Sequence, residues 1–126
     1  MFRIKKTFEV GIAHKLPLPY ASKCTNLHGH NLIITVYCAS EELDENGMVV
    51  DFTHIKKSVS DVIDHNCLSQ ICCPECGSRV VDGVIPDLVN PTAERLSEWI
   101  CMQIDKCYRV DVQESTGNVA TYEEDI

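Results

Sequence analysis

The run Cys24–Ala39, CTNLHGHNLIITVYCA, decides how the rest of this chain is read. From about His30 to Ala39 it has the pattern of a strand, with Leu32, Ile34 and Val36 on one parity. Ile33, Thr35 and Tyr37 leave the other face partly apolar as well. Side chains two apart on a strand share a face, so His28 and His30 continue the parity of the apolar set. Three groups suited to metal or nucleophilic chemistry, Cys24, His28 and His30, thus stand at the mouth of a core-bound strand.

Toward the N-terminus, Phe2 to His14 alternates: Phe2, Ile4, Phe8, Val10 and Ile12 on one parity, Arg3, Lys5, Thr7 and Glu9 on the other. His14 continues the apolar parity. The prolines of LPLPYASK then break the ladder. If the two strands pair antiparallel through that loop, His14, His28 and His30 converge. Three histidines with an open fourth position is the arrangement of a catalytic zinc site; the plainer alternative is three hydrogen-bonded histidines near the core. Cys24 is either a fourth ligand, which would make the site structural, or a base whose thiolate a nearby Zn²⁺ favours. The spacing leaves both open.

Toward the C-terminus, LDENGMVVDF predicts a hairpin turn at Asn46-Gly47 into a third short strand. Thr53 to Ile63 has a helical period, Ile55, Val59, Val62 and Ile63, with Asp51 or Thr53 as cap. A second helix opens at NPTAERLSEWICMQI, with Asn90 as cap, Pro91 in the first helical position and Ala93, Leu96, Trp99, Ile100 and Ile104 as the buried stripe. YRVDVQES alternates as a fourth strand, TYEEDI is expected as a solvated tail, and His54 as a surface helix residue. The fold class is therefore α+β over residues 1–126, two helices against one face of a four-stranded antiparallel sheet, with a Cys-rich insertion at about 66–89. Its two open edges favour self-association.

The chain has 126 residues, enough to bury a core without a disulfide. Eleven Lys and Arg against nineteen Asp and Glu give a net charge of −8, which argues against a sequence-independent grip on nucleic acid. MFRIKKTFEVG lacks an apolar leader core and no run approaches bilayer-spanning length, so the expected location is cytoplasmic, away from membranes. In a reducing compartment eight cysteines point to metal or catalytic chemistry. Cys101 and Cys107, on a helix, and Cys38, at a strand end, fit ordinary buried thiols.

AHKL around His14, KCTNLHGH from Lys23, VVDF from Val49, DHNCL from Asp64, NPTAE from Asn90 and VQES around Glu114 occur in an order that resembles the 6-pyruvoyltetrahydropterin synthase superfamily. The three-residue gap between Cys24 and His28 is similar to its queuosine-pathway branch, the 6-carboxytetrahydropterin synthases, whereas the pyruvoyl-forming enzymes usually have a longer gap. The resemblance implies a T-fold that oligomerises into a barrel, commonly a dimer of trimers. It implies zinc on His14, His28 and His30, Cys24 as general base, Asp64 and His65 as a proton relay often shared across a subunit boundary, and Glu114 holding the guanidine-like edge of a pterin. Thr92 would help seat the ring, and Lys15 and Lys23 are candidates for the triphosphate of 7,8-dihydroneopterin triphosphate. Without the resemblance, Asp64-His65 would read first as a helix C-cap and Glu114 as a solvated strand residue. Ser69 stands where the family often has Asn. The insertion ICCPECGSRVVDGVI departs further: Cys73 and Cys76 supply half of a tetrahedral structural site, which Cys67, Cys72 or a neighbouring subunit would have to complete. Competing readings are another enzyme of the superfamily, forming the pyruvoyl product or cleaving dihydroneopterin derivatives for folate, and a non-catalytic zinc-binding scaffold.

Overall fold

The structure, a computed structural model, describes residues 1–14, 18–23, 28–68 and 91–126, with the backbone alone at His14, Asn66 and Cys67. Cys24, Lys15, Cys72, Cys73, Cys76 and Asn90 lie outside the described residues. The elements run β1 (Phe2–His14), β2 (His28–Ser40), α1 (Phe52–Ile63), β3 (Asn66–Cys67), α2 (Ala93–Gln103), β4 (Cys107–Ser115) and β5 (Asn118–Glu123).

β1 and β2 pair antiparallel over their whole length, from Phe2 opposite Ser40 to His14 opposite His28. The sheet order is β3-β1-β2-β4-β5; β1, β2, β4 and β5 form an antiparallel quartet, and the two-residue β3 adds a parallel edge beside β1. The even parity of β1 and β2 faces the helices: Phe8, Val10, Ile12, Leu32, Ile34, Val36 and Cys38 are buried with Ile55, Val59 and Ile63 of α1 and Leu96, Trp99 and Ile100 of α2. The T-fold arrangement of four antiparallel strands under two helices is thus present.

Its strands differ in part from those expected. Val49 and Val50 form no strand. The Asp44 carboxylate accepts the N–H groups of Asn46 and Met48, both at 2.9 Å, Gly47 takes a φ of +80° that suits glycine, and the Val49 carbonyl accepts from Lys106 Nζ at 3.3 Å. The chain there closes a compact loop whose carbonyl is already engaged, so no ladder forms. The missing strand is at the C-terminus instead. A Thr116-Gly117 turn returns the chain as β5, with Ser115 opposite Asn118, so only the last residues of TYEEDI project beyond the sheet. Asp51 caps α1, accepting from Thr53 N–H at 2.8 Å. Thr92, not Asn90, caps α2, accepting from Arg95 N–H at 3.2 Å, so Pro91 precedes the helix rather than opening it. Cys101 lies on α2 as expected, but Cys107 begins β4 rather than continuing the helix. His54 is exposed on α1.

Candidate active site at one end of the sheet

The β1–β2 register supplies the pairing that the histidine argument needed. Residues directly opposed in an antiparallel ladder share a face, so position 14 lies across from His28, and His30 lies across from the buried Ile12. His28 and His30 are half-buried, and their rings meet edge to face with centroids 4.8 Å apart. Imidazole nitrogens are borderline donors suited to Zn²⁺, and this donor set fits a three-histidine site. Among the described residues no three metal-binding side chains stand together; the third member rests on the backbone register at position 14.

Asp64 and His65 are brought to the same end from the other side of β1. Asp64 is the C-cap of α1, its N–H reaching the Ser60 carbonyl at 3.1 Å. Its Oδ1 accepts the Gly11 N–H at 2.8 Å, and the His65 N–H donates to the Gly11 carbonyl at 2.6 Å. The outward edge of β1 at Gly11 is thereby satisfied, and the chain continues as β3, Asn66 beside Ile12. Since Ile12 also pairs with His30, the Asp64-His65 step lies two strand spacings, roughly 10 Å of backbone, from His30. His65 Nε2 is 3.7 Å from Asp64 Oδ2, and the His65 side chain is 89% exposed against 31% for Asp64. The backbone of His65 sits at φ +61°, a conformation that costs an L residue on the order of 1 kcal/mol and is held here by both contacts to Gly11. The result is an imidazole projected into solvent with a carboxylate fixed behind it.

Glu114 is half-buried at the irregular end of β4, where the register to β5 shifts between Gln113 and Ser115. It lines a cavity of about 360 Å³ with Ala93 and Glu94 at the start of α2 and Gly117 to Ala120 of the β4–β5 turn. A helix N-terminus offers free N–H groups and a positive dipole end, so the cavity presents donors and a carboxylate acceptor together. Thr92 caps the same helix; its oxygen takes the Arg95 N–H and its O–H remains able to donate. Ile33 pairs with Gln113, so Glu114 lies at the strand ends that carry His28 and His30. Lys23 is exposed beside the segment that holds Cys24.

Sequence reading missed Gly11. Its backbone takes both Asp64 Oδ1 and the His65 N–H, contacts made by the main chain that no side-chain pattern announces; a Cβ there would meet Asn31 Oδ1 at 3.5 Å and Asp64 Oδ1 at 4.0 Å, ordinary contact distances. Glu94 and Asn118 beside Glu114 were also missed, because they depend on the β4–β5 turn.

A model of the family described as 6-pyruvoyl tetrahydropterin synthase matches residues 3–125. The chain belongs to this family. Within the pterin synthase family, it is 30% identical over 135 residues to 6-carboxy-5,6,7,8-tetrahydropterin synthase of Synechocystis sp., covering 97% of this chain and 93% of that one. A Bacillus subtilis protein of the same name is 34% identical over 68 residues, 54% of this chain and 47% of that one. The structure of Caenorhabditis elegans 6-pyruvoyl tetrahydropterin synthase superposes with a TM-score of 0.67 at 23% identity, covering 98% of this chain and 96% of that one, a likeness of fold. The synthase-family fold thus carries His28, His30, Asp64, His65, Thr92 and Glu114 at one sheet end, with position 14 across from His28.

Proposed function

We propose that this protein is a zinc-dependent 6-carboxytetrahydropterin synthase, a lyase converting 7,8-dihydroneopterin triphosphate to 6-carboxy-5,6,7,8-tetrahydropterin with release of acetaldehyde and triphosphate, in queuosine biosynthesis. The observation that carries the reading is the β1–β2 register, which sets position 14 against His28 while His28 and His30 meet at 4.8 Å. Names of relatives similar over most of the chain add to it. His14, His28 and His30 would hold the zinc, which would act as a Lewis acid toward side-chain oxygens and acidify the adjoining C–H.

The chain's own groups then divide the work. Glu114, a carboxylate facing donors of the α2 N-terminus, holds a planar pair of ring N–H groups and fixes the pterin. Cys24 takes a proton from one side-chain carbon and His65, held by Asp64, exchanges one elsewhere; this isomerises the side chain and sets up loss of triphosphate. Water then adds at the side-chain carbon attached to the ring, and cleavage of the carbon-carbon bond leaves that carbon as a carboxylate on the pterin and releases the other two as acetaldehyde, so one water is consumed per turnover. Lys23 offers charge to the triphosphate of a chain whose net charge is otherwise −8. Such a site is expected to work in a homo-oligomer, a dimer of trimers, in the cytoplasm. The test is mass analysis of the anaerobic reaction with dihydroneopterin triphosphate, coupled to an acetaldehyde assay. 6-Carboxytetrahydropterin with stoichiometric acetaldehyde is expected; 6-pyruvoyltetrahydropterin without acetaldehyde assigns the chain to the pyruvoyl branch.

A further inference from the structure

Three thiols gather at the opposite end of the sheet. Cys38 of β2 is the register partner of Cys107 of β4, at a bulge beside Tyr37. The bulge turns Tyr108 outward toward Tyr37 and Arg3, and brings Cys107 to the helix side, where it packs on the core. Cys38 and Cys107 interact electrostatically, as do Cys107 and Cys101 in the last part of α2, and the Cys107 thiol donates to the Arg109 carbonyl at 3.5 Å. Cys38 is fully buried and Cys101 is 4% exposed, whereas Cys107 is half-buried, so the cluster meets solvent through Cys107. Directly opposed strand residues have Cα atoms about 4.5–5.5 Å apart, inside the range that a disulfide spans.

We propose that Cys38 and Cys107 are a redox pair, closed to a reversible cross-strand disulfide by a hydroperoxide that enters at Cys107. The Cys107 sulfur attacks the peroxide; an S–O bond forms, the O–O bond breaks, an alcohol or water leaves, and Cys107 becomes a sulfenic acid. The Cys38 sulfur then displaces that oxygen, forming S–S and releasing water with the Cys38 proton, so two thiols are oxidised and one peroxide is reduced. The interaction with Cys107 favours a thiolate at Cys38 against burial, so Cys38 is lowered. At Cys107 the interaction with Cys101 favours the thiolate, but the neighbouring Cys38 and burial outweigh it and push the thiol up to about 12, so its reaction with peroxide is slow. Access therefore sets the order: peroxide meets Cys107 first because Cys38 is sealed from solvent.

From His30 to Cys38 is eight residues, roughly 26 Å along β2, so the latch is separate from the candidate active site. The test is peptide mapping of the full-length chain, first reduced, then treated with hydrogen peroxide and alkylated in denaturant. A Cys38–Cys107 linkage in most chains, reversed by dithiothreitol and accompanied by a rise in Tm of roughly 5 °C or more, is expected. Cys107→Ser should abolish linkage and shift, and Cys101→Ser should keep both. Unlinked thiols, over-oxidised Cys107, or a Cys101–Cys107 bridge overturns the proposal. The mapping of the unsubstituted chain decides the matter even where a variant fails to fold.

Discussion

At the start of β2, His28 and His30 stand half-buried on the helix side of the sheet; farther along the same face, Ile34, Val36 and Cys38 are sealed from solvent. One strand, one parity and one neighbouring strand give a polar titratable end and a dry end. The difference follows from where the helix layer stops. α1 ends at Ile63 beside Gly11, and α2 begins at Ala93 beside Glu114, so at the histidine end the sheet face is covered by helix termini rather than helix bodies. Termini bring unsatisfied N–H and C=O groups and caps, which keep polar side chains soluble at low energetic cost. Under the helix bodies the described buried groups are apolar side chains and thiols, with Ser97 satisfied by the Glu94 carbonyl of its own helix.

Cutting into the dry end is expected to have the largest effect. Ile34 is fully buried, so Ile34→Ala should lower unfolding stability by about 2–5 kcal/mol in denaturant titration without changing zinc content of the folded fraction. Removing the proposed base should do the reverse. Cys24→Ala should keep its zinc and bind pterin yet turn over at least ~100-fold more slowly, with no change in Tm; loss of zinc together with activity would make Cys24 a ligand. A smaller effect is expected at the cavity of α2. Glu114→Gln removes the charge from one hydrogen-bonded pair and should raise KM roughly tenfold while leaving kcat nearly intact.

The smallest lies on the sheet face away from the helices. Burial opposes ionisation of Asp111, but hydrogen bonds from Thr121 at 2.7 Å, Arg109 at 3.1 Å and Tyr37 at 3.1 Å outweigh it and hold its carboxyl below the ordinary range. A depressed folded-state pKa stabilises above the unfolded value, and that gain is lost as pH falls through the folded one. Asp111→Asn should thus cost under about 1 kcal/mol at neutral pH, and the gap to the unsubstituted chain should close in acid, as followed by Tm against pH.

Alternation and helical period were enough to locate β1, β2, α1, α2 and β4, because each buries one strong apolar face. The parity of His14, His28 and His30 was legible for the same reason. Val49 and Val50 were apolar for a different cause: they dock as a loop, their turn closed by Asp44 and Lys106. β5 escaped because its half-buried face is only Ala120 and Tyr122, while Val119 is 56% exposed. The pinning of Asp64 on the Gly11 N–H spans 53 residues and is a main-chain contact, so it leaves no local signature. Cys107 was assigned to α2 because the bulge that turns it inward is not visible as periodicity.

The most direct test of the contrast between the two ends is metal analysis of His28→Ala, set in a Cys73→Ser and Cys76→Ser background so that the insertion cannot contribute. His28 lies outside the sealed core, so the account predicts one zinc per chain in the background protein and less than about a tenth of that in the His28 variant. Circular dichroism and Tm should stay close to those of the metal-free background protein. Full zinc occupancy in the His28 variant would contradict it.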